Sequence, residues 1–191
     1  MFSDRQQQII DESIKLIDTK GIQGFTIKNL SKRVGISEPG IYRHFESKFA
    51  ILSAILDSFK RDIFENQALS LNNANDPLEK LKSFADKIFE IFVHNPALIT
   101  VIFSEEIYMN EKQLSYRVKE IQTFNENLIA SFLIELRHDK KLPEHVNIDT
   151  FILMFFGSIR LLAKKWKMSD YSFDIKTRGN ELLSSLLDII K

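Results

Sequence analysis

Gly24-Phe25-Thr26-Ile27-Lys28-Asn29-Leu30-Ser31-Lys32-Arg33-Val34-Gly35-Ile36-Ser37-Glu38-Pro39-Gly40-Ile41-Tyr42-Arg43-His44-Phe45-Glu46-Ser47-Lys48 is the stretch on which the fold turns. It holds two short helical patterns joined by a glycine. Thr26 can cap a helix over Ile27–Val34 that buries Leu30 and Val34. Gly35 and Ile36 make a tight turn. Ser37 can cap a second helix over about Glu38–Phe45, with Pro39 in its first turn, where a missing N–H costs little. Leu30, Val34, Ile36, Ile41 and Phe45 form a small apolar core. This is the size and punctuation of a helix-turn-helix. Ser37, Glu38, Pro39, Gly40, Arg43 and His44 are left on the exposed side or at the start of the second helix, the end that meets base edges in a major groove. Tyr42, Lys48, Lys28 and the Thr26 hydroxyl can reach phosphates.

Charge agrees with that reading. The whole chain is neutral, with 26 Lys+Arg against 26 Asp+Glu. Residues 20–48 carry six basic side chains against two acidic ones. A neutral chain is not a wholesale polyanion binder, but a local basic face suffices to neutralise a few phosphates.

In Thr26, Gly35-Ile36-Ser37, Ile41-Tyr42-Arg43-His44-Phe45 and Lys48, the stretch resembles the DNA-binding domain of the TetR family of transcriptional regulators. The resemblance covers about Arg5–Leu56. It implies that Thr26, Tyr42 and Lys48 anchor the phosphate backbone. It implies base-facing positions at Lys28, Ser37, Glu38, Pro39, Gly40, Arg43 and His44. Leu30-Ser31 stands where Ile-Ala is commoner in that family, and Gly40 where Thr or Ala is common. A glycine has no side chain with which to read a base. Glu38 can accept from cytosine N4 or favour a helix N-terminus.

Outward from this motif, apolar spacing predicts further helices. The first covers about Ser3–Lys20 and ends at Gly21. Ser47 caps a long helix from Lys48 to about Leu69. Leu71–Pro77 is a polar break. Helices then follow at about Pro77–His94, Pro96–Tyr108, Glu111–Asp139, Ile148–Met168 and Asp174–Lys191, with a charged loop at Lys140–Asn147. No stretch alternates with the period of a strand. The expected fold is all-α: a helix-turn-helix DNA-binding domain at 1–47, then a helical ligand-binding and dimerisation domain at 48–191.

Phe151-Ile-Leu-Met-Phe-Phe156 points apolar side chains all round a helix, which must then be buried all round. Asp174–Lys191 adds Ile175, Leu182, Leu183, Leu186, Leu187 and Ile190. The surplus predicts a self-complementary homodimer through about 148–191, as the family resemblance also implies. Two readers would then address two half-sites of a palindromic operator in double-stranded DNA. Nine of the sixteen phenylalanines lie between residues 84 and 156. They fill the core or line a pocket for an apolar or amphipathic effector. Phe89, Phe92, His94, Phe103, Tyr108, Phe124, Asn125 and Phe155 are its candidate lining residues.

Other classes are excluded or left without support. No cysteine means no disulfide framework, zinc ribbon or thiol nucleophile. The four histidines have no ligand-like pairing, so no metal and no cofactor is expected. Glu105-Glu106 are neighbours on a helix and cannot form a dyad. No catalytic motif appears, and an enzyme is not expected. The longest apolar run is too short for a membrane helix. The chain opens without a signal-peptide pattern, so a cytoplasmic location is expected. Two alternatives to a ligand-responsive repressor remain. One is a DNA-binding protein without an effector, because His94–Met109 weakly resembles the TetR-like nucleoid-occlusion factors that bind a partner protein. The other is a structural helical dimer whose reader has degenerated.

Overall fold

The computed structural model describes residues 2–71, 76–103 and 112–189, and within them every regular element is a helix. The helices are α1 (Asp4–Gly24), α2 (Ile27–Val34), α3 (Glu38–Tyr42), α4 (Lys48–Leu71), α5 (Pro77–His94), α6 (Leu98–Ile102), α7 (Lys112–His138), α8 (Ile148–Met168) and α9 (Ile175–Ile189). The chain divides into two compact units. One is Met1–Arg61 with Ala97–Lys119; the other is Asp62–Pro96 with Glu120–Lys191.

In the first unit, α1 begins with a capping box: Ser3 Oγ accepts from Gln6 N–H, and the Gln6 side chain accepts from Ser3 N–H. Gly21, at φ 65° and ψ 179°, breaks helical geometry where the sequence predicts the end, but a further turn runs on to Gly24. α1 packs against α2 and α6, and α2 against α3. Ile9, Ile10, Ile17, Phe25, Leu30, Ile41, Ile51 and Ile55 are fully enclosed. Thr100 Oγ1 donates to Asp18 at 2.6 Å, joining α6 to α1. Arg117 on α7 pairs with Asp57 on α4 at 2.7 Å.

In the second unit, α9 packs on α5 and α8. The contact with α5 is close because Gly179 has no side chain: a Cβ there would stand 2.2 Å from Phe89 Cε2. Phe84, Phe151, Phe155 and Phe156 form an aromatic cluster, with ring centroids 5.2–6.4 Å apart in the recorded pairs. Lys80 on α5 pairs with Glu135 on α7 at 2.9 Å, and its ammonium lies 5.8 Å from the Phe132 ring centroid. Asp76 accepts from Leu78 N–H at the start of α5 and from Lys141 at 3.0 Å. Trp166 Nε1 donates to the Phe173 carbonyl at 2.8 Å and closes the turn between α8 and α9.

α2, α5 and α8 match their expected bounds and α4 its expected start; other described ends move by a few residues, and the expected end at Tyr108 and start at Glu111 lie outside the described residues. α3 stops at Tyr42 rather than near Phe45, because the next backbone bonds, His44 N–H and Phe45 N–H to Ile41 O, close a turn instead. The apolar stripe of α9 is consumed inside its own unit: Ile175, Leu183, Leu186 and Leu187 are buried and Leu182 half-buried. Ile190 lies outside the described residues. Within α8, by contrast, Leu153, Leu161 and Met168 are exposed.

Candidate nucleic-acid interface

The reader is built from the capped helices of the first unit. Thr26 Oγ1 accepts from Asn29 N–H at 3.1 Å and starts α2. Asn29 Nδ2 in turn donates to the Gly24 carbonyl at 2.9 Å, holding the entry to the helix. Gly35 takes φ 76° and ψ 31°, the left-handed geometry that ends α2 and turns the chain toward α3. Its N–H and that of Ile36 both bond to the Ser31 carbonyl. Ser37 Oγ accepts from Gly40 N–H at 3.2 Å and starts α3. Ser47 Oγ does the same for Ala50 at the head of α4.

This framework presents Thr26, Lys28, Ser37, Glu38, Pro39, Tyr42 and Arg43 to solvent. His44 and Lys48 are half-buried. The Lys48 ammonium sits 5.1 Å from the centroid of the buried Phe25 ring, a cation–π contact that fixes its stem beside the reader. Gly40 departs from its expected exposed position. It is buried, and a Cβ there would meet Ser37 Oγ at 3.3 Å and Ile36 at 3.4 Å. The α3 backbone lies so close to the turn that this position serves packing.

Two braces were not legible in the sequence. Gln6 Nε2 donates to the His44 carbonyl at 3.2 Å, tying the start of α1 to the end of the reader. Glu12 bonds to Lys15 at 2.8 Å and to Arg33 at 2.7 Å, tying α1 to α2. The Lys15 hydrogen bond is the largest of the effects that hold the Glu12 carboxyl below its ordinary pKa; the Arg33 bond adds to it, and burial opposes both. Partners 21 and 38 residues apart carry no local signal of their pairing.

The residues proposed to line a pocket are distributed differently. Phe89, Phe92 and Phe155 are fully buried in the second unit. Asn125 is half-buried, with its Oδ1 enclosed and without a hydrogen-bond partner; Asp86 Oδ1 is in the same state. His94 and Phe124 are on the surface, against the expectation that they face inward. The His94 ring nitrogen Nδ1 lies 2.8 Å from the Glu90 carbonyl oxygen of its own helix. Phe103 is half-buried and belongs to the first unit. Tyr108 lies outside the described residues, as do Glu105 and Glu106. Among the described residues no group of acidic, histidine or cysteine side chains could hold a metal ion, and no helix is long and apolar enough to cross a membrane.

Residues 9–55 match the family described as bacterial regulatory proteins, tetR family. Residues 76–191 match the C-terminal region of MAATS-type transcriptional repressors. The chain belongs to the TetR family. It is a DNA-binding transcriptional regulator of the dimeric kind this family comprises. The fatty acid metabolism regulator protein of Bacillus subtilis (strain 168) is 23% identical over 185 residues, covering 96% of this chain and 94% of that protein. The nucleoid occlusion factor SlmA of Mannheimia succiniciproducens is 26% identical over 159 residues, covering 80% and 72%. In fold, the chain is similar to the regulator FadR from Bacillus subtilis, solved in complex with stearoyl-CoA. The TM-score is 0.84 at 22% identity, covering 97% of this chain and 99% of that one.

Proposed function

We propose that this TetR-family regulator is a ligand-responsive repressor that binds a palindromic operator as a homodimer. The observation that carries the reading is the division within the helix-turn-helix. Leu30 and Ile41 beneath it are fully enclosed, while Thr26, Lys28, Ser37, Glu38, Pro39, Tyr42 and Arg43 stand exposed above. A rigid base with a polar, partly basic surface suits a groove reader. In this reading Thr26, Tyr42 and Lys48 hold phosphates. Arg43, with Lys28, Ser37, Glu38, Pro39 and His44, faces the bases.

An acyl-CoA is the effector class the relatives favour, since one is named for fatty acid metabolism and one was solved with stearoyl-CoA. The aromatic interior of the second unit suits an acyl chain. The enclosed Asp86 and Asn125 oxygens are acceptors that a ligand N–H or O–H would satisfy. The effector must bind the DNA-competent and DNA-free states unequally, with a coupling of about 1–3 kcal/mol in typical systems. The ranges of α4 and α7 run from one unit into the other. A shift of α4 would change the separation of the two readers in the dimer.

The test is selection of random duplex DNA on the purified protein at near-physiological salt. The expected result is a palindrome. Arg43→Ala should cost about 1–3 kcal/mol and relax the preference at one position of each arm, and Tyr42→Ala should weaken binding evenly across sequences. Stearoyl-CoA should then release the complex. Recovery of no common sequence would overturn the operator reading. A second reading, DNA binding without a small effector, is favoured by the relatives named as nucleoid occlusion factors. A palindrome whose complex ignores acyl-CoA of every chain length would select it.

A further inference from the structure

Three half-buried side chains of α1 reach other elements of the first unit at regular steps. Gln6 Nε2 donates to the His44 carbonyl at 3.2 Å, Glu12 pairs with Arg33 at 2.7 Å, and Asp18 accepts from Thr100 Oγ1 at 2.6 Å. They stand six residues apart on one helix. Each step rises about 9 Å and turns the side chain by about 120°. The buried stripe of α1, at Ile9, Ile10, Ser13, Ile14, Leu16 and Ile17, runs between them. Gln6 heads that stripe, and Glu12 and Asp18 flank it on opposite sides. One helix thus holds the end of the reader, α2 and α6 by three of its faces.

α6 folds with the reader, although the stretch that matches the C-terminal repressor region already begins at residue 76. Its five residues are too few for an independent helix. No side chain caps its start at Ala97. It is therefore seated by its neighbours. Leu98, Ile99 and Val101 are buried, and the Thr100 hydroxyl donates to the Asp18 carboxylate. At 2.6 Å this is a charge-assisted bond of the short kind, stronger than one between neutral groups. The Arg117–Asp57 pair of the same unit joins α7 to α4 and leaves α1 untouched. The seat of α6 and the position of the reader thus meet on one rigid helix.

We propose that Asp18 and Thr100 are positioning residues for operator recognition: α1 acts as a strut that carries the seat of α6 to the reader through Glu12 and Gln6. Asp18 lies about 18 Å along α1 from Gln6, so it acts on the reader through the helix and not by touching it. The proposal rests on the operator reading above and adds two residues on the far side of the unit that set its strength.

Thr100→Val keeps the side-chain shape and removes the donor. In the full chain, with the helical circular dichroism of the parent, it should speed hydrogen exchange at the amides of His44 and Phe45, which close the turn after α3. Faster exchange confined to α6 and the end of α1 would overturn the strut. On the operator recovered by selection, Thr100→Val should bind about fivefold more weakly, the scale of coupling carried by residues that touch neither ligand. Thr100→Ser, which keeps the hydroxyl, should bind as the parent does. Arg117→Gln, which breaks a pair away from α1, should also bind as the parent does; a loss equal to that of Thr100→Val would reduce the effect to general stability and overturn the proposal. Combining Gln6→Ala with Thr100→Val is the sharpest check. Distant sites with no shared partner act additively, whereas a strut already cut at Gln6 leaves Thr100→Val with little further effect. Additive losses would overturn it. If no operator is recovered, the operator reading fails, and exchange at His44 and Phe45 still decides the strut.

Discussion

Single residues in this protein act through what they exclude. Gly179 carries no side chain because the ring of Phe89 occupies the space a Cβ would need, at 2.2 Å. Phe89 is itself enclosed, so the ring cannot swing away cheaply. Gly179→Ala should therefore destabilise the protein by about 1–3 kcal/mol, as overpacked cores do, despite the gain in helix propensity. Denaturant unfolding of the two proteins checks the sign: a more stable alanine variant would contradict the close approach of α9 and α5. Gly40 obeys the same logic on a smaller scale. Its Cβ direction points at Ser37 and Ile36, so a side chain at this position of α3 would press on the turn before it. Nothing in the sequence around Gly179 names Phe89, ninety residues earlier, as its neighbour.

At the scale of elements, α1 and α2 are joined by a buried apolar seam and by the Glu12 brace. Glu12 is held below its ordinary pKa chiefly by the Lys15 hydrogen bond, with Arg33 assisting. A carboxylate whose folded pKa is depressed contributes stability that is fully present above the unfolded value, about 4.3, and is lost as pH falls through the lower folded value. Glu12→Gln should thus be less stable than the parent at neutral pH, and the two unfolding midpoints should converge as pH is taken below about 4. A gap that persists in acid would mean that Glu12 acts through packing and not through charge. Helix starts were well marked in the sequence, because a cap is a local device. Thr26, Ser37 and Ser47, the caps expected from the sequence, each accept from a backbone N–H three residues ahead. Helix ends were less well marked. α1 continues past Gly21, and α3 closes early in a turn, since the stop depends on which neighbour satisfies the last carbonyls.

For the whole molecule, operator binding and self-association are linked. One reader engages one half-site; two readers held in one dimer engage both, so the second contact forms at high effective concentration. Leu161→Glu places a charge on the open face of α8, where Leu161 is 57% exposed in the monomer. It should leave the fold intact, shift the protein to monomer in sedimentation, and weaken binding to a two-arm operator far more than to a single half-site. Equal loss on both targets would separate dimerisation from operator recognition. Binding should also fall steeply with salt, with a slope set by the number of phosphates engaged, for which Thr26, Tyr42 and Lys48 are the proposed anchors.

The sequence alone determined the all-helical class, the place and polarity of the helix-turn-helix, its apolar core at Leu30, Val34, Ile41 and Phe45, and the family. Those features are written in periodicity, caps and turn residues, which act over a few positions. It also contained the aromatic wealth of residues 84–156, but not its use. Only the tertiary structure decided that Phe84, Phe151, Phe155 and Phe156 cluster, that His94 and Phe124 lie outside, and that α9 spends its apolar stripe at home while α8 leaves one open. Which apolar face is covered depends on helices brought together from distant parts of the chain, and burial is a property of that assembly rather than of any segment.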